Sequence, residues 1–105
     1  MSSVLTIQQP SNLQPQDALQ RLHAFGEWLQ NRHGIQVAWN GYQAQLHGKY
    51  MVVDVNGVMA VVQGGVVVQA QDPGWLWRDK AKSWLQGKLA EYLNPSMPVP
   101  FLPRR

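Results

Sequence analysis

The fold turns on residues 39–71, WNGYQAQLHGKYMVVDVNGVMAVVQGGVVVQAQ. Tyr42, Ala44 and Leu46 alternate with Gln43, Gln45 and His47, the period-two pattern of a strand with one face buried. Asn40-Gly41 and Asn56-Gly57 are two-residue hairpin signals, because a type I′ turn needs positive φ at both central positions. His47-Gly48-Lys49 and Gly64-Gly65 punctuate the same stretch. The pattern predicts strands at 36–39, 42–47, 50–55, 58–63 and 66–71, each short and joined to the next by a turn. Such a series is an antiparallel meander of four to five strands. Met51, Val52, Val53, Val55, Val58, Met59, Val61, Val62, Val66, Val67 and Val68 place apolar side chains on both faces. Either the sheet curls around a core or a partner covers its second face.

Working outward, each flank carries a helix. Pro15 suits a first helical turn, since its missing N–H has no partner there, and Asp17 then meets the positive end of the helix dipole. Ala18, Leu22, Phe25 and Leu29 recur at spacings of four, three and four. Leu19 and Gly26 flank that stripe, and Gly26 would admit a close neighbour. Gly34 is placed as the C-cap, with Ile35 packing back. Before the helix, Val4–Gln8 is β-prone. After the meander, Asp72 is a fitting N-cap and Pro73 a fitting first residue for a helix from about Gly74 to Leu93, with Trp77, Ala81, Trp84, Leu85, Lys88 and Tyr92 on its apolar face. Asn94-Pro95 stops it. The expected fold is α+β, with the N-terminal and C-terminal helices on one face of the sheet. Residues 1–94 form the domain, and Pro98, Pro100 and Pro103 mark 95–105 as an extended tail.

The whole chain of 105 residues fits one core, and its composition narrows the function. Charged residues are 14% and hydrophobic residues 45%, unlike a disordered chain. Net charge is +3, of which Arg104 and Arg105 supply two units, so the body is nearly neutral. Arg78, Lys80, Lys82 and Lys88 are diluted by Asp79 and Glu91, which argues against nucleic-acid binding. No cysteine is present, which excludes disulfides and thiolate chemistry. No stretch approaches the roughly 20 apolar residues of a membrane span. Met1-Ser2-Ser3-Val4 lacks a signal-peptide start, so the expected location is cytoplasmic.

Catalytic signatures are sparse. No serine sits in a Gly-x-Ser-x-Gly turn. His23 and His33 are about 80° apart around one helix, so they do not form the i, i+4 pair of zinc hydrolases. Neither a P-loop nor Gly-x-Gly-x-x-Gly occurs. The chain is therefore expected to be non-enzymatic, without metal or cofactor. Tryptophans carry the binding reading, because large rings with one polar edge suit interfaces. Trp75, Trp77, Trp28 and Trp39, with Lys88, are the candidate binding residues.

The order of these features resembles the small bacterial proteins of the polyhydroxyalkanoic acid system, found with polyhydroxyalkanoate granule genes. It covers roughly residues 5–93: a short strand, the helix start Leu13-Gln14-Pro15-Gln16-Asp17-Ala18, a short strand with Trp39, and the Val-rich segments Val55-Asn56-Gly57-Val58 and Val66-Val67-Val68. An amphipathic helix, Lys80 to Leu93, follows. The resemblance implies a role at the polyester granule or its proteins, and it assigns no catalytic residue. The leading expectation is a binding protein that meets the granule, a granule protein or a second subunit through its outer sheet face and helix-edge tryptophans, with a homodimer through that face. A second is a small apolar-ligand domain holding a lipid or acyl chain between curled sheet and last helix, with Asp54, His47 and Tyr50 as polar groups. A third is a structural or assembly subunit, including one of phage origin, whose tail docks on a neighbour.

Overall fold

The computed structural model describes residues 4–50 and 53–105. Its order is β1 (Val4–Pro10), α1 (Pro15–His33), β2 (Gln36–Asn40), β3 (Gln43–Tyr50), β4 (Val53–Val62), β5 (Gly65–Gln71) and α2 (Arg78–Tyr92), then a 3-10 turn at Val99–Phe101. The strands form one antiparallel sheet in the order β1-β5-β4-β3-β2, open at both edges. The fold is thus α+β, with both helices on one face, as the pattern predicts.

Helix α1 follows from its local sequence. Pro15 occupies the first helical position after an extended Gln14, and Ala18 N–H donates to the Gln14 carbonyl at 3.0 Å. Ala18, Leu22, Phe25 and Leu29 are all buried. Gly34 ends the helix at φ 68°; its N–H donates to the Gln30 carbonyl and that of Ile35 to Leu29, which satisfies two otherwise free carbonyls. A Cβ on Gly26 would come within 3.1 Å of Val37 Cγ1, so glycine is what lets β2 lie close to α1.

Three expectations about turns fail, two of them for one reason. The β2–β3 turn is Gly41-Tyr42, with Asn40 paired to Gln43, one residue later than Asn40-Gly41 suggests. His47-Gly48-Lys49 is no turn: β3 runs through it, and Gly48 pairs with Val55. Asn56-Gly57 is no turn either. It lies inside the ten-residue β4, with Gly57 opposite both Leu46 and Ala70. A Cβ at Gly57 would stand 2.6 Å from the Gln69 carbonyl oxygen, and one at Gly48 would stand 3.0 Å from Ile35 Cα. Both glycines are there for close approach of neighbouring backbone. Met51 and Val52 lie outside the described residues.

The apolar residues of the strands sort by side. Met59, Val61, Val66 and Val68 join Ile7, Leu22, Phe25, Leu89 and Tyr92 in one core on the helix side. The outer side shows Gln8, Gln43, Gln45 and Gln69 to solvent with Val58 and Val67 paired beside them, and Val4 and Val62 are the large apolar residues that stand well exposed there among the described residues. The strand period therefore leaves valines on both faces: Val61, Val66 and Val68 join the core, while Val58, Val62 and Val67 face outward.

The C-terminal segment is also corrected. It does not run out as an extended tail. Leu102 is buried in the core, and the Tyr92 hydroxyl donates to the Pro103 carbonyl at 2.6 Å. Asn31 Nδ2 donates to the Arg104 carbonyl, and Arg104 pairs with Glu27 on α1. Prolines restrict this segment's backbone, and Leu102 with the Tyr92, Asn31 and Glu27 contacts holds it against the domain.

Candidate functional site

The site forms where α2 leaves the sheet. The helix is fastened at its C-terminal end: Arg21, 4% exposed, donates from its NH1 nitrogen to the carbonyls of Tyr92 (3.2 Å) and Asn94 (2.8 Å), while Nε bonds Asp17 at 3.1 Å. Within α2 only Leu89 and Tyr92 are buried. The N-terminal half of the helix spans a space, and beneath it lies a cavity of about 340 Å³. Leu29, Ile35 and Leu46 line its buried end, Trp84 and Leu85 its roof, and Val53, Asp54, Gln71 and Trp77 its outer end. At that outer end it adjoins a polar recess of about 190 Å³, which shares Val53, Asp54, Gln71, Pro73 and Trp77 and adds Asp72.

The entry to α2 differs from the sequence reading. Asp72 does not cap the helix. Its Oδ1 accepts from Gly74 N–H at 2.9 Å, and its Oδ2 pairs with Arg78 at 2.8 Å. Gly74 has φ 103°, a conformation that disfavours any side chain. Trp77 and Arg78 N–H both donate to the Gly74 carbonyl, so the helix begins at Arg78, with Trp77 as its N-cap. This braced turn holds Trp75 (78% exposed), Leu76 (65%) and Trp77 (38%) side by side in solvent.

The candidate residues therefore divide. Trp75 and Trp77 belong to that turn, and Trp77 also lines the cavity. Trp28 lies in an aromatic group with Trp84, Phe25 and His33, and the Lys88 ammonium sits 4.5 Å over its ring. Trp84 links this group to the cavity. Trp39 is elsewhere: it stacks on His23 at 4.1 Å and packs toward Gly26. Of the polar candidates, Tyr50 and Asp54 line the cavity, whereas His47 faces outward opposite Asn56. Asp54 is 3.8 Å from Lys49. Ala81, Trp84 and Leu85 were legible as an apolar helix face, but not as the roof of a cavity.

Among the described residues, His33 and Tyr92 stand in surroundings that shift their pKa values. Burial, with Arg32 and Lys88 adding repulsion, lowers the pKa of His33, whose ring meets Tyr50 edge-on. Burial, aided by Glu91 and opposed by Arg104, raises that of Tyr92 to about 12. Among the described residues, the titratable groups lining the cavity are Tyr50, Asp54 and Lys80, and no three His, Asp or Glu side chains group as metal ligands. Nor is any described helix long and apolar enough to cross a membrane. The arrangement can take up apolar chains or surfaces.

An open antiparallel sheet carrying two helices on one side, with an apolar cavity under the second, defines a small α+β domain. A family model described as "Putative polyhydroxyalkanoic acid system protein" matches residues 5–97, and the chain belongs to that family. No match is found among curated proteins. None is found among solved structures.

Proposed function

We propose that this chain is a non-catalytic binding protein of the polyhydroxyalkanoic acid system, which attaches in the cytoplasm to the polyester granule. The observation that carries the reading is the Trp75-Leu76-Trp77 turn. Three consecutive apolar side chains are held in solvent by the Asp72–Arg78 brace and the Gly74 backbone. Exposure of one large apolar residue is ordinary, but a braced run of them suits an apolar surface as partner. The family supports a granule as that surface. Among the described residues, the cavity lining is almost wholly apolar, which suits binding of apolar groups.

Co-sedimentation of the purified protein with native granules, beside polystyrene beads and liposomes, tests the reading. Saturable binding to granules, well above that to beads and liposomes, is expected. Equal binding to all three surfaces, or none to granules, overturns it.

A further inference from the structure

The cavity under α2 and the recess beside it are two compartments of one site. The first, about 340 Å³, is lined almost wholly by aliphatic and aromatic groups; the second, about 190 Å³, brings Asp54, Gln71 and Asp72 together. We infer that this pair holds one linear hydroxyacyl chain as a discrete ligand, with its hydrocarbon end against Leu29, Ile35 and Leu46 and its hydroxyl end among Asp54, Gln71 and Asp72.

Size bounds the chain length. At the roughly 30 Å³ that a water-sized group occupies in a liquid, 340 Å³ holds about eleven groups, close to a ten-carbon chain. The volume also falls in the range of ordinary small-molecule sites. Chemistry sets the polar end. Asp54 and Asp72 offer carboxylate oxygens and Gln71 an amide oxygen, all able to accept from a hydroxyl. Each carboxylate is matched by a cation already, Lys49 for Asp54 and Arg78 for Asp72, so neither calls for a charged ligand. Lys80 lines the apolar compartment, with its ammonium 5.9 Å from the Trp77 ring. A neutral hydroxyacyl ester meets these conditions better than a fatty acid does. Its source is either a free monomeric ester or the hydroxyl terminus of a polymer. Only the choice of hydroxyacyl over other hydroxyl-ended chains rests on the granule reading; the site itself does not.

Calorimetric titration of the full chain with methyl 3-hydroxyalkanoates of six, eight, ten and sixteen carbons tests the inference, with native mass spectrometry for stoichiometry. One-to-one binding is expected, tightening about fourfold per added carbon and levelling off near ten. Methyl decanoate should bind about fivefold more weakly than its hydroxyl analogue, and Gln71→Leu should reduce that preference. Ala81→Trp, which fills the cavity from its roof, should weaken binding at least tenfold while leaving granule co-sedimentation intact. Trp75→Ala should do the reverse, so failure of one reading is separable from failure of the other. A soluble polymer oligomer ending in a free hydroxyl, binding to the same sites as the monomer ester, would identify the polymer terminus as a source; binding of the ester alone would identify the monomer, and either supports the site. Absence of saturable binding, affinity that keeps rising to sixteen carbons, or affinity unchanged in a folded Ala81→Trp overturns it. The chain-length series is read on the wild-type protein and needs no variant to fold.

Discussion

Replacing Trp75 by alanine separates the proposed granule contact from the fold. Trp75 is 78% exposed, so its removal leaves no cavity and breaks no buried hydrogen bond. An aromatic side chain covers about 150–250 Å² when buried, so on the order of 150 Å² of this ring is free to meet a surface. At about 25 cal/mol per Å², complete insertion would contribute roughly 4 kcal/mol. A turn lying on a polymer surface inserts one side of the ring, which halves that to about 2 kcal/mol and corresponds to a roughly thirtyfold weaker partition constant. The assay is sedimentation at increasing granule area, with bound fraction fitted to a partition constant. Thermal unfolding should stay within about 0.5 kcal/mol of wild type, because exposed substitutions seldom do more. Val62→Ala, on the outer sheet face, is the control and should partition as wild type does. A partition constant for Trp75→Ala within twofold of wild type refutes the reasoning. A loss in Val62→Ala instead would move the contact to the outer face.

Other substitutions probe the framework. Gly57→Val should destabilise the domain by about 3 kcal/mol, because its Cβ would sit 2.6 Å from the Gln69 carbonyl oxygen; a denaturant midpoint equal to wild type would contradict the close-approach role. Arg21→Ala should cost about 2–4 kcal/mol, since it strips the carbonyls of Tyr92 and Asn94 of a buried charged donor, and chemical denaturation would measure it. Tyr92 has a pKa raised from 10.0 to about 12, so the fold favours its neutral form. That contribution, of order 2–3 kcal/mol, is complete below pH 10 and lost as pH rises toward 12; Tyr92→Phe should flatten stability across this window. His33 has a lowered pKa, so its neutral form is favoured, and stability falls as pH drops below 6.5 through the folded-state value. His33→Gln should remove that acid-limb slope in pH-resolved melts.

How much of this was legible depended on whether the cause was local. Helix α1 was readable from end to end, because Pro15, the Ala18–Leu22–Phe25–Leu29 stripe and the Gly34 cap act within a few residues of themselves. The Trp75-Leu76-Trp77 segment was visible as an aromatic feature, and the alternation around Ala44 and Leu46 gave the strand period. Gly48 and Gly57 misled because a glycine looks the same whether it serves a turn or a close approach. The choice was made by Ile35 and Gln69, residues distant in sequence that pass within reach of the missing Cβ. That valines stand on both faces was legible from their number, while register decided which side each one takes.

The sequence by itself determined the α+β class, the boundaries of α1, the period of the strands and the tryptophans that now stand beside the cavity. Tertiary structure alone decided that Asn56-Gly57 runs straight, that residues after Asn94 fold back through Leu102 and Tyr92, and that α2 stands off the sheet. The physical reason is the range of the interactions. Capping and amphipathic period are set by neighbours along the chain. The cavity arises because Arg21 fastens one end of α2, while the Asp72–Arg78 turn sets the direction of the other.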